Sequence, residues 1–247
     1  AWQWKANGGT TSSNTTGTIT STVQANTDAG FSIVTWAGTA STATIGHGLG
    51  VAPKVVLVRA RDKNVPTSWI MFHKDGSTSD DDYLILQGTF AKNSQAGLWN
   101  NQYPSSTVFG IANDFWVNSA STNYLAYCFA EVEGYSKFGK YVGNGNANGS
   151  FVYTGFKPAM IILKRTDATN NWLIYDHKRS GYNPKQDKLY PDDASAEDAS
   201  TTSVDLLSNG FKLRASSASQ NASGGTYIYM AFAENPFVAG GIPTTAR

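Results

Sequence analysis

The stretch VAPKVVLVRARD, residues 51–62, occurs a second time as FKPAMIILKRTD, residues 156–167. Pro53 answers to Pro158, and in each copy an apolar run ends in Arg or Lys and then Asp. Two further blocks recur in the same order. SWIMFHK (68–74) returns as NWLIYDHK (171–178), and YLAYCFAE (124–131) returns as YIYMAFAE (227–234). Ahead of each proline block lies a Gly-rich region, TWAGTASTATIGHGLG in the first copy and KYVGNGNANGSFVYTG in the second. Aligned without gaps, these set Trp36 against Tyr141, Gly38 against Gly143 and Gly50 against Gly155. Self-similarity at an offset of roughly a hundred residues marks a duplicated structural unit.

The repeated blocks are short, turn-bounded runs rich in Val, Ile, Tyr, Phe and Trp, and no stretch holds a helical period. VVLVRA and MIILKR are continuously apolar, as a strand covered on both faces should be. SNGFKLRA (208–215) and NDFWVNSA (113–120) alternate instead, behind turn residues, and read as half-buried strands. Six or seven such strands fall in each copy. The chain is therefore expected to be all-β, with two tandem, jelly-roll-like β-sandwich repeats of about 100 residues each, spanning 30–134 and 135–237. Residues 238–247 would follow as a C-terminal tail. One larger sandwich built from both halves is the alternative.

The opening AWQWKANGG (1–9) puts Trp2 and Trp4 on one face of a pleated strand. Beside the closing blocks, they fall where Tyr127 and Phe129 stand in the first copy and Met230 and Phe232 in the second. Residues 1–29 thus read as the closing strand of an earlier repeat followed by a Thr/Ser-rich linker, with both indoles docked against the first sandwich or a missing neighbour. Within that linker, TITSTVQ alternates Ile19, Ser21 and Val23 against Thr20, Thr22 and Gln24, which predicts an added strand.

Composition narrows the chemistry. A net charge of +1 over 247 residues, with no basic run, gives no electrostatic case for nucleic acid or for an acidic membrane surface. No apolar run reaches membrane-spanning length. Cys128 is the single cysteine, so no internal disulfide can form, and no signal-peptide pattern opens the chain. Both features point to synthesis in a reducing cytosol.

His47, His73 and His177 are widely separated, and no metal-ligand spacing accompanies them; His73 and His177 read as strand-end caps. No metal site and no cofactor is expected. DDDY (80–83) and PDDASAED (191–198) lack calcium-loop spacing, and as surface carboxylates they read as solvated. The loops LWNNQYP (98–104) and SGYNPKQDKLYP (180–191) mix aromatics with Asn, Gln and Lys, a combination that stacks on sugar rings and bonds their hydroxyls. Trp99, Tyr103, Tyr182 and Tyr190 are accordingly the candidate ligand-binding residues; the alternative is that they fold back as lids. Trp69 and Trp172, at matched places in the repeat, read as core anchors.

Taken together, GFSIVTWAG, IGHGLGVAPK, YCFAEVEGYSKFGKYVGNG, VYTGFKPAMIILKRT and SNGFKL resemble the C-terminal region of large structural proteins of tailed bacteriophages. The similarity runs from Trp2 to Phe237. It implies a virion component such as a tail fibre, tail spike or head fibre, assembled in the host bacterial cytoplasm. It implies other virion proteins and a host-surface glycan or receptor as partners, with homotrimeric assembly as in fibres generally. It further implies that Arg247 is a natural C-terminus and Ala1 an internal position. No catalytic residue is carried over, so attachment or particle decoration without catalysis is the expected role. The rivals are a glycan-degrading spike enzyme using Asp80, Asp81 or Asp82, and a carbohydrate-binding module of a cellular enzyme.

Overall fold

A computed structural model describes residues 3–6, 9–62, 68–179, 181–200 and 203–236, and among these every regular element is a strand. The chain divides into two compact units, the first made of Ala1–Ile85 and Asn93–Glu131, the second of Leu86–Lys92 and Val132–Arg247.

The first unit contains β1 (Ser12–Asn14), β2 (Ser21–Asn26), β3 (Phe31–Ala37), β4 (Ala43–Gly46), β5 (Val55–Ala60), β6 (Ile70–His73), β7 (Asp82–Ile85), β8 (Asn93–Ser94), β9 (Val108–Ile111) and β10 (Asn123–Phe129). Eight of them form one antiparallel sheet, in the order β1-β2-β3-β10-β5-β6-β7-β8, and β4 pairs with β9 in a second sheet. The sheets face each other in a β-sandwich-like packing. Val34 and Trp36 of β3, Val56 and Val58 of β5, and Ala126 and Cys128 of β10 share one core with Ile45 of β4 and Phe109 of β9. The TITSTVQ alternation is realised in β2, where Ser21 and Val23 are buried and Thr22 is exposed. Ile19 makes a parallel bridge to Ile45.

The second unit contains β11 (Ser136–Val142), β12 (Phe151–Tyr153), β13 (Pro158–Arg165), β14 (Leu173–Asp176), β15 (Val204–Leu207), β16 (Gly210–Leu213) and β17 (Thr226–Ala233). Its sheets are ordered β11-β17-β13-β14 and β12-β16-β15. Ile161, Leu163, Tyr227 and Tyr229 of the first meet Val152, Leu206, Phe211 and Leu213 of the second. The two apolar runs of the repeat are β5 and β13, and both are buried along nearly their whole length, as continuous apolarity requires.

Each unit builds the same aromatic corner. Trp36 stacks on Tyr124 in the first, and Tyr141 on Tyr227 in the second, with centroids 5.6 and 5.0 Å apart. The Tyr124 hydroxyl donates to the Phe115 carbonyl and accepts from the Ser119 N–H; that of Tyr227 donates to Ala218 and accepts from Ala222, each at 2.8 Å. The amide side chains of Asn118 and Asn221 sit one residue before the accepted N–H. They bond the backbone just after Gly38 and Gly143. A Cβ on either glycine would stand 2.0 Å from Ser119 O or 2.3 Å from Ala222 O, so both backbones approach where only glycine fits.

Three expectations are corrected. The gapless alignment of the Gly-rich regions slips by two residues: Ile45 lies opposite Phe109 and Val152 opposite Phe211, which sets Gly48, rather than Gly50, against Gly155. The two extra residues of the second unit fall in its Asn-rich turn, where Asn144 and Asn146 side chains bond the turn's own backbone. NDFWVNSA is a turn, not a strand, because Asp114 accepts Trp116 N–H on its side chain and Asn118 N–H on its carbonyl, both at 2.7 Å. The strand expected there is β9. Residues 3–6 likewise join no strand. Trp4 does dock, edge-on to Phe129 at 5.8 Å, and the Lys5 carbonyl accepts from the Asn26 amide at 3.1 Å. Trp2 and residues 237–247 lie outside the described residues.

Candidate functional site: a polar pocket beneath Tyr182

The four aromatic candidates occupy four different settings. Trp99 is 2% exposed, packs edge-on to Phe72 and donates its indole N–H to the Asp82 carbonyl at 3.0 Å, so it offers no face to a ligand. Tyr103 keeps part of its surface, but the Lys74 ammonium stands 3.2 Å from its ring centre and occupies one face. Tyr190 packs against the core of the second unit and donates its hydroxyl to Asp198 at 2.9 Å; burial, helped by that carboxylate, pushes its ionisation up to about 12. Tyr182 is 88% exposed and stands on the rim of a pocket of about 250 Å³. Of the core anchors, Trp172 is buried, whereas Trp69 is half-buried, stacked on Tyr127 at 5.4 Å with the Arg59 guanidinium over its ring.

Three neighbouring strand ends make the floor of the Tyr182 pocket. In the order β17-β13-β14, Glu234 follows the end of β17, Lys157 precedes β13 and His177 follows β14. Glu234 N–H donates to the Lys157 carbonyl and His177 N–H to that of Ala159, both at 2.9 Å, which fixes the three side chains at one sheet end. Lys157 Nζ lies 2.6 Å from one Glu234 oxygen, and His177 Nε2 lies 3.8 Å from the other. His177 Nδ1 is 3.1 Å from the Ala159 carbonyl, which holds the ring in place. Burial pushes the Glu234 carboxyl up, but Lys157, with His177 and Lys178, outweighs it and leaves the group below its ordinary range.

The loop after β14 supplies the wall. The Asn183 amide takes both backbone groups of Leu206, donating to its carbonyl at 2.8 Å and accepting its N–H at 3.0 Å. Lys185 exchanges backbone hydrogen bonds with Val204. Its side chain is buried against the pocket, and burial, with repulsion from Lys157, lowers its ionisation. Tyr182 is thus an exposed ring on an anchored loop over two lysines, a histidine and a carboxylate. Sequence reasoning found Tyr182 but missed Lys157, His177, Lys185 and Glu234. Glu234 and His177 were nevertheless marked, since both end repeated strand blocks.

Several other titratable groups are engaged locally. Asp82 is buried and accepts from Thr78 N–H at 2.7 Å and the Thr78 hydroxyl at 2.9 Å, and Asp81 accepts from Gly97 N–H at 2.7 Å. Asp198 takes the Tyr190 hydroxyl and Lys188, both at 2.9 Å, and hydrogen bonds hold its carboxyl well below the usual range. His47 Nδ1 accepts from Leu49 N–H at 3.2 Å, and burial lowers its ionisation against the opposing bond to Ser105. His73 accepts from Gly76 N–H at 3.2 Å just past the end of β6, as a strand-end cap does. Among the described residues, no three His, Cys, Asp or Glu side chains gather as a metal site would require.

Neither a curated protein nor a solved structure matches the chain. A family model described as Domain of unknown function (DUF7483) matches residues 1–236, and the chain belongs to that family.

Proposed function

We propose that the chain is a non-catalytic structural module of a virion, built of two tandem β-sandwich repeats, that attaches the particle to a host-surface glycan. The duplicated aromatic corner supports the tandem reading. The resemblance of the repeated phrases to tailed-phage structural proteins supports the setting. The attachment reading is carried by one observation: Tyr182 stands 88% exposed on a loop pinned by the Asn183 clamp, over a pocket of convergent polar groups. A large apolar ring left in water beside hydrogen-bonding groups suits a sugar, whose C–H face stacks while its hydroxyls bond.

Glycan-array binding together with competition for adsorption to host cells tests this. The chain should bind a defined set of host glycans and compete with particles for cells. Tyr182→Ala should weaken both by about tenfold, which corresponds to about 1.4 kcal/mol. Absence of glycan binding, or binding unchanged in Tyr182→Ala, would overturn the reading.

A further inference from the structure

We infer that the outer edge of β12 is a strand-addition site, taking an extended, uncharged polypeptide arm of the kind that residues 17–26 lay on the first unit; it stands apart from the glycan pocket. Among the described residues β12 ends its sheet, with β16 as its one neighbour. The Ser150 carbonyl accepts from Leu213 N–H, and Thr154 N–H donates to the Asn209 carbonyl, both at 3.0 Å. Bonded positions alternate along an antiparallel pair, so Val152 bonds toward Phe211 while the backbone groups of Phe151 and Tyr153 point away from β16. Nothing among the described residues bonds them on that side.

The first unit shows what covers the corresponding edge. Val152 answers to Ile45, so Phe151 and Tyr153 answer to Thr44 and Gly46 of β4. There the chain's own arm supplies the partners. Thr44 N–H donates to Thr18 Oγ1 at 2.8 Å, the Thr44 carbonyl accepts from Ile19 N–H at 3.2 Å, and the Gly46 carbonyl accepts from the Ser21 hydroxyl at 2.8 Å. The same arm continues as β2 along β3. The second unit has no such arm, because residues 130–135 turn directly into β11, with Ser136 N–H on the Val132 carbonyl at 2.9 Å. Neither aromatic ring of β12 blocks the open edge. Phe151 leans inward over Gly210, where a Cβ would stand 3.1 Å from its ring, and Tyr153 lies along its own strand over Gly155. The rings remain 46% and 64% exposed, as flanks for the side chains of an added strand. They offer on the order of 200 Å² per copy, so pairing of two β12 strands falls far short of the ~1,200 Å² of a stable interface, which favours an arm over a second copy.

Residue-resolved amide exchange of the full chain, with and without a synthetic peptide of residues 17–26, GTITSTVQAN, tests this. In the free chain Phe151 and Tyr153 should exchange fast and Val152 slowly. Saturating peptide should slow Phe151 and Tyr153 by about tenfold or more and leave Val152 as it was, an alternation that needs no variant to be read. Tyr153→Pro removes an outward N–H and spares the β16 ladder, so it should weaken the peptide by about fivefold. Tyr182→Ala should bind the peptide as the wild type does. Absence of peptide binding at millimolar concentration would overturn the inference, as would protection that falls elsewhere or spreads evenly over 150–154. Concentration-dependent self-association of the chain, lost in Tyr153→Pro, would assign the edge to a second copy and overturn the arm. Each of these outcomes leaves the glycan reading to its own array.

Discussion

The ring of Trp36 lies flat on that of Tyr124, with planes 14° from parallel, and the Tyr124 hydroxyl ties the 115–119 turn to β10 through two hydrogen bonds. Tyr124→Phe preserves the stack but leaves the Phe115 carbonyl and the Ser119 N–H without that partner. The expected cost is about 1–3 kcal/mol, with a similar cost for Tyr227→Phe, read from urea unfolding. A loss under about 0.5 kcal/mol in both variants would show that the corner does not stabilise its unit.

Gly17 lies where the chain runs past the edge of β4. There Thr44 N–H donates to Thr18 Oγ1 at 2.8 Å, and Ile19 N–H donates to the Thr44 carbonyl at 3.2 Å. A Cβ at residue 17 would meet Thr44 O at 2.4 Å and Gly46 N at 2.8 Å, both backbone atoms that cannot swing aside. Gly17→Ala should therefore cost about 1–3 kcal/mol, as overpacking does, and speed amide exchange at Ile19 and Thr44. Unchanged exchange at both amides would contradict this.

Lys164 is fully buried, and its ammonium donates to the Thr89 carbonyl at 2.9 Å and to the Asn170 carbonyl, holding residues 86–92 against β13. Burial lowers its ionisation to about 8 from an ordinary 10.5. Between those values the unfolded chain binds more protons than the folded one, so this group's contribution to stability rises with pH across that window. Lys164→Met should remove that rise and speed amide exchange at Lys92 and Asn170, whose N–H groups bond Thr166 and Thr89. A variant with the wild-type pH profile and unchanged exchange would refute the role.

Cys128 is buried, and burial pushes its thiol up to about 12 from 9.0. A thiol reagent at neutral pH should label the chain only after unfolding, once per molecule. In the unfolded chain the thiol loses its proton first, so stability should fall between pH 9 and 12 by up to about 1.4 kcal/mol per pH unit from this group. Cys128→Ala should lessen that fall, while Tyr141, whose hydroxyl burial also pushes up, adds a fall above pH 10 that this variant leaves in place. Rapid labelling of the native chain would contradict the burial.

What could be read from sequence followed from how much pattern each element carries. Val55–Ala60 and Pro158–Arg165 are long apolar runs beside a proline, so β5 and β13 stand out. Val108–Ile111 is four residues with a glycine inside, too short to show a period, and β9 went unread while the neighbouring NDFWVNSA imitated one. The imitation fails because Asp114 bonds its own turn, a local contact that alternation does not reveal. Trp99 and Tyr182 look alike in sequence, each an aromatic among Asn and Gly. Only the fold separates a ring bonded to Asp82 in a core from one standing in water. Lys157, His177 and Glu234 are far apart along the chain and become neighbours through the strand order β17-β13-β14.

The location of the glycan site is the central claim, and amide chemical-shift mapping during titration with an array-positive glycan tests it most directly. The shifts should cluster on residues 157, 177, 181–185, 206 and 234, around Tyr182 and the clamp beneath it. Shifts confined to the exposed Phe151 and Tyr153 of β12, or to Tyr103, would contradict it.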